Sequence, residues 1–149
     1  MKKLYIAALC YLIAGLGAGV FYREFTKLND FHGDTQLSVA HTHLLALGML
    51  VFLIALALDR VFDLSGEDLF NSFFWLYNAG LIIAVGMMFT HGIMQVYGVP
   101  DSAAISGIAG LGHIILSLGL VLFFVVLGRR VGDLAEERSA TAEDTPAQP

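Results

Sequence analysis

The sequence predicts an all-α integral membrane protein, a single domain of four transmembrane helices. Three observations predict it. Hydrophobic residues make up 57% of the chain and charged residues only 14%, against roughly 45–50% and about 25% in soluble domains. Mean hydropathy is +0.74. Four separate stretches approach or exceed the ~20 apolar residues needed to cross ~30 Å of hydrocarbon at ~1.5 Å per residue.

These stretches lie at about 4–22, 38–58, 70–96 and 103–128, and none contains Asp, Glu, Lys or Arg. The first, "LYIAALCYLIAGLGAGVFY", follows Lys2 and Lys3 and ends in small residues, as a signal peptide does. Its apolar run exceeds the usual ~7–15 residues of such a leader, so residues 1–22 are expected to be retained as a helix. The second opens on "VAHTHLLALGML", the third carries a Met-rich end, and the fourth is punctuated by glycines. Residues 1–132 form the transmembrane domain. The polar residues at 133–149 are expected to be a disordered tail.

With the N-terminus inside, Lys2, Lys3, Arg60, Arg129, Arg130 and Arg138 fall on the cytoplasmic side and only Arg23 and Lys27 outside. Excess Lys and Arg mark the cytoplasmic side, so both termini are expected there, in a multi-pass protein of the bacterial cytoplasmic membrane. The net charge of −5 comes mainly from tail and loops. Nothing resembles a nucleic-acid footprint. The single Cys10 has no partner for a disulfide or a CxxC motif and reads as a small buried hydrophobe.

The histidines carry the chemistry. His41 and His43 fall near the outer end of the second helix, His91 near the outer end of the third, and His113 about mid-depth in the fourth. An ionisable ring inside a membrane needs a partner or a ligand, and here several gather toward one leaflet. Helical residues advance ~100° each, so His41 and His43 point ~200° apart. Either the helix end is distorted, or each ring serves a different partner. Gly48, on the His41 side, leaves room for something flat.

Two cofactors fit these residues. Haem is held by axial imidazoles in an apolar pocket, and Arg23 and Lys27 are placed to pair with its propionates. Copper would use Met87, Met94 and His91, since thioethers suit Cu(I). Plainer readings stand beside both. Met clusters commonly fill cores. His113 among its glycines, and the glycines themselves, suit helix packing. His91 suits a wetted interface, Arg23 and Lys27 anchor helix ends, and His32 suits a solvated loop.

"YREF", then a loop, then "AHTHLLALGML" resembles the first two helices of the catalytic subunit of haem–copper oxidases and their nitric-oxide-reductase relatives. The chain also looks like a group of short, uncharacterised four-helix bacterial membrane proteins. The oxidase likeness covers about 30 residues. It implies one four-helix arc, with His41 matching the helix-two haem ligand and the best single candidate. The pair His41 and His43 matches a His-x-His element that serves two haems. By the same resemblance His91 lies where copper-ligating histidines occur, Arg23 is a propionate partner, and His113 has no counterpart. A chain of one arc implies a homo-oligomer, conceivably a trimer with haem between subunits. The family's copper-site Tyr, its histidine doublet and its acidic proton paths are missing. The implied function is therefore a haem b protein for electron transfer or for binding or sensing diatomic gases, not a proton pump and not clearly an enzyme. A copper-handling protein and a cofactor-free structural protein are the rivals.

Overall fold

A computed structural model describes residues 1–100 and 102–143. It is all-α, with four helices long and apolar enough to cross a membrane. We number them α1 (Lys2–Leu28), α2 (Leu37–Phe62), α3 (Asp68–Val96) and α4 (Ala103–Glu143). The connections after α1 and α3 lie at one end of the bundle, here called distal. The N-terminus and the short turn Leu64–Gly66 lie at the other, proximal, end.

Each helix outruns its hydrophobic stretch, because the flanking polar residues are good helix formers. In α1 the extension is "REFTKL". In α4 the helix continues to Glu143, where composition predicts a disordered tail from residue 133. Leu134, Ala135, Glu136, Glu137 and Arg138 favour helix once an upstream turn exists. Residues 144–149 of the expected tail lie outside the described residues.

The turn at the proximal end of α2 is built on Asp59. Its side chain is buried, and its Oδ1 accepts the Ser65 N–H at 2.6 Å. Asp63 closes the helix in the left-handed region at φ 51°, which Asp tolerates better than most residues.

Helices α3 and α4 touch backbone to backbone. A Cβ on Gly80 would overlap the Leu116 backbone N. A Cβ on Gly112 would lie 2.8 Å from the Ala84 N, and one on Gly119 2.8 Å from the Tyr77 Cα. In hydrocarbon, apolar burial no longer distinguishes helix from lipid, so this close approach supplies the van der Waals contact that holds the pair.

Helix α1 packs on α2 through glycines that receive side chains rather than backbone. Gly15 faces Leu45, and the ring of Tyr11 lies on Gly48. The flat group next to Gly48 is thus a side chain of α1, which assigns this glycine to helix packing rather than to a cofactor. The facing stretch of α2, Leu44–Leu50, is a π-helix. One of its carbonyls, that of Leu47, accepts the Tyr77 hydroxyl at 2.9 Å. Tyr11 donates to Asn78 Oδ1 at 2.7 Å, so the hydroxyls of Tyr11 and Tyr77 both have partners inside the bundle. Cys10, expected to be buried, is exposed on α1.

The proximal half of the core is aromatic. Phe52, Phe70, Phe73 and Tyr77 are fully buried. Phe73 meets Phe123 of α4 at 4.9 Å between ring centroids, and Phe52 meets Tyr77 edge-on at 5.7 Å. The space that the histidines share lies distal to this plug.

Gly80→Leu should destabilise the protein by more than the ~1–3 kcal/mol of ordinary overpacking, because backbone blocks the added atoms. Gly86→Ala, with nothing within 4 Å of the new Cβ, should be neutral or stabilising by up to ~1 kcal/mol. Thermal unfolding of the two variants in detergent gives the comparison.

Candidate functional site

The distal cavity is positioned by a polar clamp that sequence reading missed. Thr35 is buried and donates its hydroxyl to the Gly92 carbonyl at 2.9 Å. The Gln36 N–H donates to Gln95 Oε1 at 2.8 Å. A Cβ on Gly92 would lie 2.6 Å from the Leu37 N. The first turn of α2 is therefore seated against the last turns of α3. Thr35 Oγ1 also accepts the Leu37 N–H at 3.3 Å, a local bond open to any Thr before a helix, but its reach to Gly92 spans 57 residues and no local signal marks it.

Beneath the clamp lies a cavity of about 510 Å³ between α2, α3 and α4. His43 enters it from α2, His91 from α3 and His113 from α4, with Met87 and Met88 beside them. Gln36 and Ser106 add polar groups, and the remaining wall is Val39, Ala109 and Gly110. No lining residue is a Lys, Arg, Asp or Glu. The volume falls within the ~300–1,000 Å³ typical of small-molecule and cofactor sites.

The ring orientations have a chemical reading. His43 Nδ1 lies 3.0 Å from the Val39 carbonyl, and His113 Nδ1 lies 2.8 Å from the Ala109 carbonyl. A carbonyl only accepts, so Nδ1 carries the proton in both rings, and in the neutral form Nε2 keeps its lone pair. Metal-bound histidines are held in this way, with the second ring nitrogen donating to a carbonyl or carboxylate.

His41 lies elsewhere. Its ring faces α1, with Cβ and Cγ 3.8 Å from the point where Gly19 would carry a Cβ. Its Nδ1 is buried with no hydrogen-bond partner, and His41 is not among the residues lining the cavity. The two rings of the pair therefore serve different neighbours, as their angular separation implies. Arg23 is exposed, 3.7 Å from Glu24, and like Met94 it is not on the cavity wall. His32 is an exposed loop residue 3.2 Å from Asp30.

Among the described residues, no three His, Cys, Asp or Glu side chains come close enough to share one metal ion. The three histidines of the cavity surround a space larger than an ion. Residues 1–130 match the family described as "Protein of unknown function (DUF2871)". The chain belongs to this family. The match takes in all four apolar stretches and every histidine, so the cavity lies wholly within the family's domain. No curated protein and no solved structure matches the chain.

Thr35→Val should cost about 1–3 kcal/mol, because it removes the acceptor of the buried Leu37 N–H along with the bond to Gly92. It should also raise hydrogen exchange at the amides of the first turn of α2, leaving the α3–α4 pair protected. Exchange mass spectrometry reads both changes.

Proposed function

We propose that this chain is a membrane haem b protein, with the iron held in the distal cavity by Nε2 of His43 and of His91. The carrying observation is the convergence of three histidines from three helices on one cavity of about 510 Å³. The Nδ1–H of His43 is already committed to a backbone carbonyl, which supports its Nε2 as a ligand.

The lining fits the ring and iron of the group, while its propionates would have to reach past a wall that carries no Lys or Arg. Val39, Met87, Met88 and Ala109 offer an apolar lining, while Gln36 and Ser106 offer hydrogen bonds to polar edges. Haem needs only one or two protein ligands, which accords with the lack of a three-ligand cluster among the described residues. Bound there, haem would supply a one-electron couple, or a site for a diatomic gas where one axial position stays open. His43 and His91 would fix its orientation, and the methionines would keep water away.

In this reading His43 takes the leading role that the family resemblance gives to His41. Because the three histidines meet within one chain, binding does not require a second copy. A homo-oligomer that joined His41 to a neighbouring site would add to this cavity rather than create it. The charge distribution supports cytoplasmic termini: Lys2, Lys3, Arg60, Arg129 and Arg130 crowd the proximal end, Arg23 and Lys27 the distal end. On this reading the protein sits in a bacterial cytoplasmic membrane with the cavity toward the outer side.

Copper is the second reading, favoured by Met87 and Met88 beside His91 on the cavity wall, since thioethers suit Cu(I).

Protein purified in detergent should show a Soret band and a reduced-minus-oxidised b-type spectrum. His43→Ala should abolish most haem, whereas His41→Ala should retain it. Full haem in His43→Ala overturns the ligand assignment. A colourless protein with stoichiometric copper supports the second reading. A colourless, metal-free protein supports a purely structural role for the histidines.

A further inference from the structure

We propose that a groove on the bilayer-facing side of α4 binds an uncharged amphiphile of the quinol class, with its hydroxylated ring at His113 and its hydrocarbon chain along Leu118 and Val121. The groove holds about 290 Å³ and is lined by His113, Ile114, Ser117, Leu118 and Val121. It adjoins the distal cavity, because His113 lines both.

The hydrogen bonds select the head group. His113 Nδ1 donates to the Ala109 carbonyl, and Ser117 Oγ donates to the His113 carbonyl, each at 2.8 Å. Both side chains have thus committed these donors to their own helix. The neutral His113 Nε2 and the Ser117 oxygen present acceptors to the groove, and a hydroxyl-bearing ring supplies the matching donors.

Charge and depth exclude a phospholipid head. No Lys or Arg lines the groove or the cavity, so a phosphate finds no counter-charge. At ~1.5 Å per residue, His113 lies about 15 Å from the distal start of α4 at Ala103, near the middle of a ~30 Å hydrocarbon layer. Phospholipid heads stay at the interface, whereas an uncharged ring on a hydrocarbon chain dissolves to this depth. Ile114, Leu118 and Val121 are all more than half exposed and offer the chain an apolar track continuous with the lipid.

The proposal does not depend on what fills the cavity, and its test is read separately from haem. The full chain in phosphatidylcholine nanodiscs is incubated with a reduced azido-ubiquinone, illuminated and digested. Label is expected on the segment 113–121, competed by unlabelled ubiquinol and not by phosphatidylglycerol. Leu118→Trp and Val121→Trp fill the groove from exposed positions and should lose most of the label with helix content unchanged. His113→Leu, which keeps the groove open but removes the acceptor, should also lose it. Label spread evenly along the chain, label surviving both Trp variants, or equal competition by phosphatidylglycerol overturns the proposal. Spontaneous cross-linking of Ser117→Cys between chains, in a Cys10→Ser background, overturns it in favour of a second copy on this face. Leu118 and Val121 do not line the cavity, so haem absorbance recorded on the two Trp variants reads the cavity separately, and either idea can fail while the other stands.

Discussion

The backbone contact between α3 and α4 governs the rest of the structure. Gly80, Gly112 and Gly119 let two helices meet without intervening side chains. In a bilayer this matters more than in water, since lipid solvates leucine as well as protein does. The contact sets the register that brings His91 and His113 onto one space. With α3 fixed, the Thr35 hydroxyl on the Gly92 carbonyl brings His43 to the same space from α2. The two fastenings differ in kind: one excludes side chains, the other satisfies a buried polar group. Together they make a cavity from helices that would otherwise close on one another.

Much of the fold was legible in the sequence, because crossing hydrocarbon leaves a signal in composition alone. The helix count and approximate limits follow from run length. The helix ends do not, since Arg, Glu and Lys extend a helix past the apolar layer as readily as they leave it. The ~200° between His41 and His43 anticipated that the rings face different helices, and α1 and the cavity are those neighbours. Which ring would face a cavity was not legible, because that depends on where α1 packs. Gly48 shows the same limit. Its lack of a side chain signalled a close approach, but the approaching ring proved to be Tyr11, far away in sequence. Thr35, Asn78 and Asp59 are ordinary residues in their local context, and their distant partners Gly92 and Tyr11 and the turn at Ser65 cannot be read from it.

The cavity also bears on how the resemblance to haem–copper oxidases should be weighed. That likeness rests on the first two helices and favours His41. The cavity instead joins His43 to His91 and His113, residues on helices for which the likeness is only one of number. The structure and the resemblance thus both draw attention to the histidines while emphasising different rings. The family match over residues 1–130 takes in the cavity, the clamp and the glycine contacts together.

The aromatic plug has a consequence for traffic. Phe52, Phe73, Tyr77 and Phe123 close the bundle on the proximal side of the cavity. Anything that enters among the histidines therefore leaves by the side from which it came, whether the distal mouth or the flank of α4. Among the described residues the cavity is a cul-de-sac rather than a conduit: aromatic rings stop it on the proximal side, so a guest finds no way through to the opposite face.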